Sequence, residues 1–108
     1  MSQFRLKRTY PTTLEITVTP SQIIQMFPVE LQEHPSMGII KRVWKTESQI
    51  YSVDAFPEDA IEDLSGSRKY LRLKDEYMKQ LLSEMNRFQI ILYYQDKEDV
   101  YFVERLNN

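Results

Sequence analysis

The sequence predicts an α+β protein: an antiparallel sheet built from two β-hairpins plus an N-terminal strand, packed by one long helix (about 75–87) and one or two short helices. Three observations predict it. Residues 74–88 carry apolar side chains at the period of a helix, and residues 39–56 and 88–106 carry β-rich runs on either side of polar turns. The third is size: 108 residues with 42% hydrophobic content form a single globular domain spanning 1–108, with one core.

From the N-terminus, Phe4, Leu6 and Tyr10 alternate with Arg5 and Lys7, and Leu14, Ile16 and Val18 alternate again after Pro11. This reads as one long bulged strand or two short ones, with the proline marking an edge or a bend. Thr19-Pro20-Ser21-Gln22 has a capping threonine, a proline at the first helical position and a glutamine at the capping-box position. Ile23, Ile24 and Phe27 share the apolar face of this helix, which Pro28 limits to about two turns. Val29 to Glu33 is read as a further helical turn and His34 to Gly38 as a loop.

A hairpin is expected from strands 39–44 and 50–56 around Lys45 to Gln49, followed by a short helix over Pro57–Leu64 with acids in its first turn. Ser65-Gly66-Ser67 turns the chain, and residues 68–73 form a short strand or an extended connection. In the long helix Tyr77, Met78, Leu81, Leu82, Met85 and Phe88 make one stripe, Asp75 pairs with Lys79, and Arg87 complements the dipole in the last turn. Strand 88–94, apolar on both faces, reads as central; Gln95–Asp99 is the turn and Val100–Leu106 the returning strand. A helix followed by a hairpin thus occurs twice, without matching residues.

Composition excludes several chemistries. With no cysteine there is no disulfide, thiolate nucleophile or cysteine-ligated metal, and two glycines cannot build a phosphate loop or a dinucleotide fingerprint. His34, the one histidine, stands beside Pro35 without a second ligand nearby. The acidic run Asp54, Glu58, Asp59, Glu62, Asp63 lacks calcium-loop spacing and reads as a solvated helix start. No catalytic residue, metal site or cofactor is therefore expected. Met1 to Arg5 lacks the apolar region of a signal peptide and no run reaches membrane-spanning length, which predicts a cytoplasmic protein with no membrane contact.

Charge is unevenly spread. Residues 1–53 hold six Lys/Arg against four Glu, and residues 54–108 hold eight against twelve acids. Neither half has the basic excess of a duplex-DNA binder. Tyr93, Tyr94, Tyr101 and Phe102 crowd the last hairpin, and tyrosine favours interfaces because it joins a large apolar body to a polar tip. The leading expectation is a small non-enzymatic binding module (a regulator, inhibitor or assembly factor) that contacts another protein or a second copy of itself through these four residues. The alternative is single-stranded nucleic-acid binding on basic–aromatic strand faces, using Arg5, Lys7, Arg8, Lys41, Arg42, Trp44, Arg68, Tyr70 and Arg72. Lys45 belongs to the same basic stretch as Lys41 and Arg42.

Overall fold

Strand alternation outweighs helical period in the folded chain. In a computed structural model, which describes residues 2–106, 49% of the described residues are strand and 22% helix. Along the chain run β1 (Gln3–Arg8), β2 (Leu14–Val18), α1 (Pro20–Met26), β3 (Glu30–His34), β4 (Gly38–Lys45) and β5 (Ile50–Tyr51). Two 3₁₀ turns, Val53–Ala55 and Glu58–Ala60, lead to β6 (Ile61–Asp63), β7 (Tyr70–Leu73), α2 (Asp75–Glu84), β8 (Arg87–Tyr94) and β9 (Lys97–Leu106). All pairings are antiparallel, in one sheet of order β2-β1-β9-β8-β4-β3-β7-β6, with β5 on the side of β4.

This corrects the expected architecture of two hairpins under a long helix. The frame is a nine-stranded sheet, and both helices are short. α2 stops at Glu84, and Met85 and Phe88 complete its apolar stripe only because the chain turns and delivers Phe88 from β8 to the same core. Val29–Glu33 is not helical; it supplies β3, which pairs with β4 around Pro35–Met37 and with β7. Gly38 closes that turn at φ +74°, a conformation that costs a residue with a Cβ about 1–2 kcal/mol. The expected helix at 57–64 is one 3₁₀ turn followed by β6. The expected second hairpin strand shrinks to Ile50–Tyr51, and the last turn to Gln95–Asp96, because Tyr94 already faces Lys97.

The sequence-encoded helix start is present in full. Thr19 Oγ1 accepts from Gln22 N, and Thr19 N donates to Gln22 Oε1. The end of α2 is capped from far away. Arg105 Nη2 on β9 donates to the carbonyls of Leu82 (2.5 Å) and Met85 (2.8 Å), and its guanidinium lies 4.6 Å from the centre of the Phe4 ring. Arg87, expected to complement that helix end, lies on β8 instead.

In an antiparallel pair, residues opposite one another share a face. Trp44, Ile90, Val103, Leu6 and Ile16 therefore point one way, and α1 and α2 cover them with Ile23, Ile24, Met78 and Leu82. Trp44 is fully buried, lies 5.3 Å from Phe88, and donates Nε1–H to the Phe27 carbonyl at 2.8 Å. On β3 and β7 the apolar residues Leu31, Leu71 and Leu73 point the other way, where Val29, just before β3, and Val53, Phe56, Ala60 and Ile61 join them. The sheet thus buries opposite faces at its two ends. The two expected hairpins, β4–β5 and β8–β9, lie side by side in the one sheet, joined by antiparallel pairing of their first strands, β4 and β8.

Trp44→Ala should lower stability by about 3–5 kcal/mol, since it leaves a cavity and an unpaired Phe27 carbonyl. A denaturation midpoint that falls with an unchanged m-value checks this.

Candidate binding face

The helices do not cover the opposite side of β1, β9, β8 and β4, where Val43 and Ile91 are nonetheless buried and the residues nearer the strand ends are open. Register lays out its side chains in rows. Lys7, Phe102, Gln89 and Lys45 stand side by side across the four strands, and Arg5, Glu104 and Arg87 form the adjacent row. Next inward come Val100, Ile91 and Val43, then Glu98, Tyr93 and Lys41, and then Ile39 opposite Glu33. Large apolar groups lie open on this face: Phe102 is 45% exposed, Tyr93 37% and Ile39 63%.

The first two rows line a cleft of about 660 Å³, walled at one end by the turn after Lys45 through Thr46 and Glu47. Its charges are only partly neutralised. Arg5 Nε lies 3.4 Å from Glu15, and Arg87 Nη2 lies 3.6 Å from Glu104. Lys7 and Lys45 have no ion-pair partner among the described residues.

The four aromatics expected to bind a partner divide between the faces. Tyr93 and Phe102 lie on the open face. Tyr94 and Tyr101 lie on the other, where Tyr101 packs 4.9 Å from Phe27 and accepts a hydrogen bond from Arg8 Nη1 at 3.1 Å. Tyr94 Oη donates to Asp99 Oδ2 at 3.4 Å.

The nine residues expected to bind nucleic acid are likewise dispersed. Arg5, Lys7 and Lys41 share the open face, although Lys41 Nζ is held by Asp54 at 3.1 Å. Trp44 is in the core, Arg8 serves Tyr101 and Thr12, and Arg68 makes two 3.1 Å hydrogen bonds to Glu58 in the loop before β7. Those Glu58 contacts raise the Arg68 pKa. Gln89, Arg87 and Ile39 went unselected in the sequence, because only cross-strand register puts them beside Phe102 and Tyr93.

Arg42, Tyr70 and Arg72 gather on the other face around Glu30, a buried carboxylate. Arg42 Nη1 donates to Glu30 Oε1 at 2.6 Å and Tyr70 Oη to Oε2 at 3.0 Å, while Arg72, opposite Glu30 in register, reaches Asp75 Oδ1 at 2.7 Å. The Asp75–Lys79 pair expected from sequence gives way to this Arg72 contact. Burial raises the Tyr70 pKa, and the carboxylate it donates to raises it further. These charges neutralise one another, so the cluster acts as a cross-strand clamp. Glu30→Ala should cost about 2–3 kcal/mol, below the range for a fully buried pair because Arg42 keeps some solvent contact. The drop in thermal midpoint, compared with that of Glu30→Gln, measures it.

His34 makes a local contact only. Its Nδ1 accepts from Ser36 N at 3.2 Å and lies 3.1 Å from Ser36 Oγ, which braces the β3–β4 turn. Asp63 organises the loop before β7. Partial desolvation raises its pKa, but hydrogen bonds from Arg68 N, Ser65 Oγ, Ser65 N and Gly66 N outweigh that and leave it lowered. A lowered folded pKa means the loop contacts persist above the ordinary value of 3.8 and are lost as pH falls through the folded value. The Ser65, Gly66 and Arg68 amide shifts should titrate together there by NMR, and Asp63→Asn should abolish that transition.

Among the described residues no three histidine or acidic side chains gather as a metal site, and no helix is long and apolar enough to cross a membrane. Compared with known family models, curated proteins and solved structures, the chain matches none.

Proposed function

We propose that this chain is a small, non-enzymatic cytoplasmic binding module, a regulator, inhibitor or assembly factor that docks a partner protein on the open face of its sheet. The observation that carries this reading is the pair of large apolar side chains left open on this face. Tyr93 and Ile39 stand exposed beside Val100, in a surface rimmed by both signs of charge through Lys41, Glu98 and Glu33. An apolar centre inside a mixed polar rim is the anatomy of a protein interface. Large apolar side chains left open on a sheet face lose water favourably when a partner covers them.

The partner is a different protein or a second copy of the chain. Light scattering separates these cases through the mass in solution. With the purified chain as bait, Tyr93→Asp and Ile39→Asp should release a protein that wild type retains, whereas Gln25→Asp, on exposed α1, should keep it. If the purified chain is monomeric and wild type and both face variants retain the same proteins, the reading fails.

A further inference from the structure

The cleft at the other end of the open face has a composition of its own. Four strands contribute one residue each to its central row, in the order cation, aromatic, amide, cation: Lys7, Phe102, Gln89 and Lys45. Strands lie about 4.8 Å apart, so the two lysine positions are separated by about 14 Å. That is too far to grip one phosphate or two consecutive ones, and it suits phosphates two nucleotides apart on an extended strand. Between them Phe102 offers an exposed ring of the kind on which a base stacks, and the Gln89 amide beside it can both donate to and accept from a base edge. The neighbouring arginines are engaged by Glu15 and Glu104, whereas both lysines are free of ion pairs among the described residues.

We infer that this cleft binds single-stranded nucleic acid across the strands, with one base on Phe102 and phosphates two nucleotides apart on Lys7 and Lys45. Charge complementarity carries the assignment. The chain has a net charge of −2, yet four cations line the cleft with two acids, Glu47 and Glu104. Duplex DNA is a poor fit, because its bases are stacked inside and unavailable to Phe102. This inference does not rest on protein docking. Tyr93 lies four residues along β8 from Gln89, about 14 Å away, so the two surfaces can be altered separately.

The test is fluorescence anisotropy of the full chain with short labelled oligo(dT) and oligo(rU) across a salt series. Two phosphate contacts predict saturable binding whose logarithm falls against log salt with a slope of about −1.4, and Lys7→Gln or Lys45→Gln should each reduce that slope by about 0.7. Phe102→Ala should weaken binding about tenfold and leave the slope unchanged, since stacking carries no charge. Tyr93→Asp should retain binding to within about twofold. Trp44 fluorescence verifies that each variant is folded, and the two lysine variants, both at exposed positions, keep the test decisive if Phe102→Ala does not fold. Oligo(dT) and oligo(rU) separate DNA from RNA, and preference for either supports the cleft. Absence of binding at low salt overturns the inference. So does binding that all three variants leave unchanged, or equal affinity for polyglutamate, which would identify an acidic peptide as the occupant.

Discussion

Trp44 stands where β4 meets α1 and β8, and its burial is the contact on which the other arrangements depend. The indole is fully enclosed against Phe88, and its N–H is satisfied by the carbonyl that closes α1. A side chain of that size can be buried only on the face the helices cover. Once Trp44 points to the helices, the two-residue period of a strand sends Val43 and Lys45 to the opposite face, where Val43 is buried and Lys45 exposed. Antiparallel pairing passes the same choice to Gln89 on β8, Phe102 on β9 and Lys7 on β1. The row that lines the cleft is therefore a consequence of where one tryptophan goes.

The sheet changes its covered side along its width. Helices protect it over β1, β9 and β8, whereas the segment around Val53–Ile61 protects the opposite side over β3 and β7. Two polar clusters result, one buried and one exposed, and their electrostatics differ. On one, Arg42 and Tyr70 converge on Glu30, with Arg72 directed to Asp75, and the charges are consumed within the molecule. On the other, Lys7 and Lys45 flank an exposed ring without ion-pair partners among the described residues. A charge satisfied internally braces the fold, whereas an unsatisfied one beside a ring can still attract a ligand. That contrast places the functional argument on the second surface.

Much of the local structure was legible in the sequence. The capping box of α1, the start of α2 at Asp75, the strand at 88–94 and the short strand before α2 each rest on contacts between near neighbours. The misreadings share a cause. Met85 and Phe88 continue the spacing of α2 although the helix has ended, because a turn into β8 puts Phe88 in the same core as the helix stripe. Val29–Glu33 has no clean alternation, since β3 lies where the sheet changes its buried side and Glu30 is buried through Arg42 and Tyr70. Residues at 44 and 88 looked like parts of separate hairpins, and the pairing of β4 with β8 brings them together.

The sequence alone determined the capping box of α1, the strand-forming runs at 3–8, 14–18, 39–44 and 88–106, and the absence of cysteine chemistry, all of which depend on residue type and short-range spacing. Tertiary structure alone decided which partner each strand takes, and with it which face each aromatic and cation occupies. Alternation says that Tyr101 and Phe102 point opposite ways, but not which of them meets the helices. That choice belongs to long-range register, set by burying Trp44 and Phe88 under α1 and α2 and held by Arg105, which ties β9 to the end of α2 from 20 residues beyond Met85. A candidate face spread over four strands is invisible until those strands are placed side by side.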